Sequence, residues 1–228
     1  MYSLESRESG LAGQSPAEPV VYVIDDDESI RRALSNLFRS VGLCANTFAS
    51  TRDFLAAPAV SGPSCLILDV RLRGENGLEF QDAMHRKGLR MPVVVVTAHG
   101  DIEMTVKAMK AGATDFLSKP YRDQDLLDAV SHALAKDRER ISAERALGTL
   151  RAAYESLTPR EREVVELVLA GLLNKQIAAV IHISEVTVKK HRRQAMQKLS
   201  ARSTVDMVCK IRSLGIEPRA ASIEPEIS

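Results

Sequence analysis

Between Val20 and Ala135, apolar runs of four to six residues alternate with stretches whose apolar positions recur every three or four residues. This rhythm constrains the chain most. Strands separated by helices join side by side in parallel, with each helix crossing over the sheet. Strands are predicted at Val20–Ile24, Cys44–Phe48, Cys65–Leu68, Val93–Val96 and Thr114–Leu117, the second being the weakest. Helices are predicted at Glu28–Val41, Ser50–Ala57, Gly77–Lys87, Asp101–Ala111 and from Asp123 onward. The result is an α/β domain over 20–135 with a five-stranded parallel sheet.

The rest of the chain is helical. From Asp123 to about Leu150 there is no proline, and Gly148 is the only glycine. Leu127, Val130, Leu134, Asp137 and Ile141 keep a three-four spacing with one polar interruption. The segment 136–154 is therefore either a monomeric linker helix or a short dimerising coiled coil. Thr158-Pro159-Arg160-Glu161 reads as a helix start, with Thr158 as N-cap and Glu161 completing a capping box. Further helices fit Asn174–Ile181, Glu185–Leu199 and Thr204–Leu214, giving an all-α second domain over 155–216. The tails 1–19 and 217–228 are rich in Ser, Pro, Glu and Ala and read as mobile.

With 228 residues, 45% hydrophobic and 27% charged, the chain can bury two cores. No apolar run approaches the roughly 18 residues of a membrane span. Met1 to Glu18 lacks the basic start and apolar stretch of a signal peptide, so the expectation is a cytoplasmic protein with no membrane role. Cys44, Cys65 and Cys209 are scattered and read as reduced core thiols rather than a disulfide framework. The net charge of +1 hides an asymmetry: residues 20–135 carry 13 Lys/Arg against 15 Asp/Glu, residues 151–216 carry 12 against 6. The excess is concentrated in Lys189, Lys190, Arg192 and Arg193, which suggests a polyanionic partner for the second domain alone.

Ligands of an open parallel sheet bind outside the carboxyl ends of its strands, where the strand order reverses. The flavodoxin-like order 2-1-3-4-5 is that of a known doubly wound class and is adopted by analogy with it. In that order the first and third strands are neighbours, so Asp25 and Asp26 should converge with Asp69 at one edge. Three like charges so close need a compensating cation. Oxygen ligands, with no histidine or further cysteine nearby in sequence, favour Mg²⁺ (or Mn²⁺). Lys119 follows the fifth strand and brings an ammonium to the same edge, and Thr97 ends the fourth with a hydroxyl. A nucleophilic carboxylate, a metal corner, a fixed cation and a hydroxyl donor are the equipment for phosphoryl transfer to aspartate. A phosphohydrolase with an aspartyl nucleophile would need a second acid-base carboxylate two residues after Asp69, where Arg71 stands.

VYVIDDDESIRRAL, CLILDVRL, VVVVTAHGD and GATDFLSKPY resemble the motifs of response-regulator receiver domains, and TAHGDIEMTVKAMKAGATDFLSKP is similar to the FixJ-type branch. The resemblance implies that Asp69 is the phosphoacceptor. It further implies that Asp26, Asp69 and the backbone carbonyl of Arg71 coordinate Mg²⁺, with Asp25 acting largely through water. Thr97 and Phe116 would be the switch pair that remodels the surface of the fourth helix and fifth strand, and Lys119-Pro120 would be cis. The implied phosphodonor is a sensor histidine kinase. One departure is visible: Arg73 stands where receivers of this type usually have proline.

In the second domain, Asn174–Ile181, the turn His182-Ile183-Ser184 and Glu185–Leu199 form a helix-turn-helix pattern with Ser184 as N-cap. Ile177, Val180, Ile183, Val188, Met196 and Leu199 supply packing positions; Lys189, Lys190, Arg193 and Gln197 lie on the opposite face. The stretch from Leu157 to Ser203 is similar to the four-helix LuxR-type DNA-binding domain, most specifically in TPRE, NKQIA and TVKKHRRQAMQKL. This implies contacts to promoter DNA from Lys189, Lys190 and Arg193, with phosphate contacts from Thr187 and Lys175. His191 would pack rather than catalyse. His182 departs from the glycine common in that turn. Together the two resemblances imply a FixJ/NarL-type regulator. It would not be an enzyme beyond turning over its own aspartyl phosphate. Its expected partners are a kinase, double-stranded promoter DNA, RNA polymerase and, on phosphorylation, a second copy of itself.

Overall fold

The computed structural model describes residues 18–58, 62–98 and 100–217, so the two tails lie almost wholly outside the described residues. Two compact units divide between Ile141 and Ser142. The first holds β1 (Val20–Ile24), α1 (Glu28–Ser40), β2 (Cys44–Phe48), α2 (Thr51–Ala56), β3 (Ser64–Asp69), the two-residue strands β4 (Arg71–Leu72) and β5 (Glu75–Asn76), α3 (Gly77–Arg86), β6 (Val93–Thr97), α4 (Ile102–Lys110), β7 (Asp115–Ser118) and the start of α5 (Asp123–Glu155).

The main sheet is parallel with the order β2-β1-β3-β6-β7, which is 2-1-3-4-5 when its own strands are counted. Its central strands are buried on both faces, as their near-continuous apolar composition demands. Alternation sorts their side chains into two cores. Tyr22, Ile24, Leu66, Leu68 and Val95 pack with Phe54, Met84 and Ala108 of α2, α3 and α4. Val21, Val23, Ile67, Val94 and Val96 pack with Leu34 and Phe38 of α1 and with Leu126, Val130 and Leu134 of α5. β2 is an edge strand with partly exposed residues throughout, which is why its sequence signal is the faintest. The antiparallel hairpin β4–β5 is an addition to the elements expected from the sequence.

α5 runs 33 residues without a break. Its polar interruption, Asp137, is fully buried and satisfied: one oxygen accepts the Ser64 backbone N–H at 2.8 Å and the other accepts Nε of Arg140 at 2.8 Å. Val130 and Leu134 belong to the core under the sheet, with Leu127 packed against it. The apolar seam is therefore consumed by the first unit, and residues 142–149 are exposed.

The second unit contains α6 (Pro159–Leu169), α7 (Asn174–Val180), α8 (Glu185–Lys198) and α9 (Thr204–Ser213) around Val164, Val165, Val168, Ile177, Val188, Leu199, Met207 and Ile211. The capping box at Thr158 forms as predicted, and Ser184 caps α8 through the Thr187 N–H. Val180, expected as a packing residue, is 49% exposed. Only Cys65 is a core thiol, pushed up to about 12 by burial and by Asp137; Cys44, on the edge strand β2, and Cys209, on α9, are exposed, against expectation.

Gly77 opens α3 against the backbone of the β3 end: a Cβ there would stand 2.3 Å from the carbonyl oxygen of Asp69. Rigid backbone cannot yield to that approach. We expect Gly77→Ala to destabilise the first unit by about 1–3 kcal/mol, the usual cost of overpacking. Urea unfolding of the full chain measures it, and an unchanged transition would show that the helix start can shift freely.

Candidate functional site

β1 and β3 lie side by side, so their carboxyl ends present Asp25 and Asp69 to the same edge. β7 ends one strand beyond β6, and the Lys119 N–H is fixed by the Thr97 carbonyl at 2.7 Å. The Lys119-Pro120 bond is cis. From there the Lys119 ammonium reaches both carboxylates, 2.8 Å from Oδ2 of Asp25 and 2.7 Å from Oδ2 of Asp69.

Each carboxylate is also held from behind. Oδ1 of Asp25 accepts the Asp27 N–H at 2.9 Å, and Oδ1 of Asp69 accepts the Arg71 N–H at 3.0 Å. Nη1 of Arg31 donates to the Asp25 carbonyl at 2.7 Å, anchoring the β1–α1 turn; nothing in the sequence pattern marks Arg31 for this task. Asp25 is 1% exposed and Asp69 7%. Burial pushes the Asp25 carboxyl above its ordinary range against the pull of Lys119 and the Asp27 N–H. Burial also works against the charge of Lys119, but its hydrogen bonds to Asp25 and Asp69 prevail and hold it above the usual lysine value. One ammonium shared by two carboxylates leaves a net negative edge.

Asp26 has a different partner from Asp25 and Asp69. Its Oδ2 accepts Nε of Arg73 at 3.0 Å, and among the described residues no group of three or more His, Cys, Asp or Glu side chains is gathered as a ready-made metal cluster. The donors at the edge are hard carboxylate oxygens. They suit Mg²⁺, which takes one or two carboxylates and completes its shell with water. Thr97 is fully buried at the end of β6, and Phe116 is half-buried on β7, packed against the core under α4.

The second unit carries its charge on α8. Lys189, Lys190, Arg193 and Gln197 are exposed, as is Lys175 on α7; Thr187 is half-buried and shares a hydroxyl hydrogen bond with Ser184 at 2.8 Å. Lys189 pairs within the helix with Glu185 at 2.9 Å. Arg193, Lys189, Gln197 and Asn174 border an open depression of about 450 Å³. Arg192, counted with the basic run, turns inward instead. Nη1 donates to Asn174 Oδ1 at 2.9 Å and Nη2 to the Thr204 hydroxyl, so Arg192 braces α8 against the starts of α7 and α9. His191 is half-buried. His182 has φ +53°, the left-handed backbone that its glycine-like position implies.

Residues 21–131 match the response regulator receiver domain family, and residues 155–211 match the bacterial regulatory proteins of the luxR family. Nodulation protein W of Bradyrhizobium diazoefficiens is 47% identical over 92% of each chain. The transcriptional regulatory protein FixJ of Azorhizobium caulinodans is 37% identical over 89% of this chain and 96% of its own. Among solved structures, the response regulator StyR is 45% identical, covers 86% of this chain and all of its own, and superposes with a TM-score of 0.76. No helix among the described residues is long and apolar enough to cross a membrane. The chain therefore belongs to the FixJ-like two-component response regulators, transcriptional regulators built from a receiver domain and a LuxR-type DNA-binding domain.

Proposed function

We propose that Asp69 takes a phosphoryl group from a sensor histidine kinase and that the modified receiver controls promoter binding by the second domain. The observation that carries this reading is the Lys119 ammonium set between Asp25 and Asp69 at hydrogen-bond distance from both. The carboxylate of Asp69 attacks phosphorus, the P–N bond to the donor histidine breaks with its electron pair staying on the ring nitrogen, and an acyl phosphate forms. Lys119 then exchanges its bond to the Asp69 carboxylate for one to a phosphoryl oxygen, which keeps the new charge compensated in a largely dry site. Mg²⁺, or Mn²⁺, held by Asp26, Asp69 and the Arg71 carbonyl with Asp25 acting through water, would neutralise charge on the transferring group. Beyond making and losing this phosphate the chain performs no catalysis in this reading.

The dianion biases a two-state receiver through Thr97 at the end of β6 and Phe116, which lies opposite Val95 on the neighbouring strand β7. The surface they would remodel includes α4, where Ile102 is 85% exposed and Val106 and Met109 are about half exposed. Apolar side chains in that number on one short helix suit a face that a second copy covers on phosphorylation. Dimerisation brings two α8 helices to two half-sites, and the second binding event gains effective concentration. On DNA, Lys189, Lys190 and Arg193 contact base edges or the backbone along the major groove, and Lys175 and Thr187 hold phosphates. RNA polymerase is the partner such a bound regulator would recruit or exclude.

Asp69→Asn should lose at least about a hundredfold of the label taken from acetyl phosphate or a phosphorylated kinase, with its circular dichroism unchanged; retained label would refute the assignment. For the second domain, Lys190→Ala should flatten the dependence of log affinity on log salt by about one unit, as expected for one lost phosphate contact. Should the slope stay the same and only sequence preference relax, Lys190 reads a base edge instead.

A further inference from the structure

The sequence places Arg73 in the loop of the β4–β5 hairpin, and the fold gives that hairpin little freedom. Leu72 is buried in the core, Glu75 accepts hydrogen bonds from the backbone and hydroxyl of Thr51, and the Arg71 N–H is tied to Asp69. The two loop residues are Arg73 and Gly74, with Gly74 at φ +78° closing the turn. Arg73 thus projects from an anchored ledge beside the phosphoacceptor. Its Nε meets Oδ2 of Asp26 across 47 positions of sequence, at 3.0 Å. The Arg73 side chain is 88% exposed and that of Asp26 25%, so water screens the pair and it opens readily.

We propose that Arg73 is a built-in competitor for the cation of the acidic edge: its guanidinium engages Asp26 in the metal-free protein, and a Mg²⁺ ion must displace it to use that carboxylate. This rests on the reading above, in which Asp26 belongs to the metal corner. Two observations carry the inference independently. Asp26 is engaged with Arg73, whereas Asp25 and Asp69 share the ammonium of Lys119. Lys119 and Arg73, which engage the carboxylates of this edge, differ in burial. Lys119 is enclosed and remains to meet the phosphoryl group, whereas Arg73 is at the rim and can swing into solvent. The pair sets the Mg²⁺ concentration at which the receiver becomes competent.

The test is Mg²⁺ titration of the full chain by calorimetry, with no phosphodonor present, in wild type, Arg73→Ala and Arg73→Gln. Both variants change an exposed side chain and keep the fold. Each should bind Mg²⁺ about two- to fivefold more tightly than wild type at low ionic strength, the range of an exposed ion pair. The advantage should shrink as salt is raised, because screening weakens the competitor. Equal or weaker binding by both variants overturns the proposal while leaving the metal corner intact. Absence of Mg²⁺ binding in all three proteins overturns the metal corner itself and the proposal with it. Mn²⁺ binding followed by water-proton relaxation gives a second reading of the same order of affinities.

Discussion

The receiver depends on one shared cation. Asp25 and Asp69 are carried to the same edge by adjacent parallel strands, and both are withdrawn from water. Uncompensated, two buried carboxylates at this separation would repel each other and drive one of them to take up a proton. Lys119 prevents that from a third strand end, while backbone N–H groups of Asp27 and Arg71 hold the outer oxygens. Both carboxylates are thereby fixed in place, each by the shared ammonium on one oxygen and by a backbone N–H on the other. Sheet order, strand register and the β7 turn all serve to place one nitrogen atom.

A comparable division between holding and reaching organises the second unit. Arg192 turns inward and joins α8 to Asn174 and Thr204, and Lys198, from the surface, pairs with the buried Glu161 at 2.6 Å. Glu161 also closes the capping box on the Thr158 N–H at 2.8 Å, so a single carboxylate ends one helix and docks another. Lys189, Lys190 and Arg193 are left on the exposed face. Desolvating a charge is worthwhile only where partners are supplied. Here partners are supplied to the half-buried Arg192 and the buried Glu161 that brace α8, and water to the side chains that would meet a polyanion.

Most of the first fold was legible because its central strands are short apolar runs and its helices are amphipathic; the strand and helix limits differ from expectation by about one residue. The hairpin β4–β5 was illegible, since two-residue strands contain no period to detect. The seam on α5 was legible as a seam, but its periodicity could not say which surface would cover it; the sheet does. Arg192 was indistinguishable from its neighbours in a run of four basic residues, because only three-dimensional proximity to Asn174 and Thr204 separates a brace from a contact. Val180 and the outlying cysteines failed for the same reason: hydrophobic type states a preference for burial, and the fold decides whether room exists.

By itself the sequence determined the two-domain plan, the parallel sheet, the helix caps at Thr158 and Ser184, and the residues Asp25, Asp69 and Lys119 as one chemical set. These follow from local propensity and from motifs whose spacing is tied to strand ends. Only the tertiary structure decided that Lys119 bridges two carboxylates while Asp26 faces Arg73, and that Asp137 is a buried tie to β3. Such choices turn on distances of a few ångströms between residues 47 to 94 positions apart, and at that range Coulomb and hydrogen-bond energies change steeply with placement.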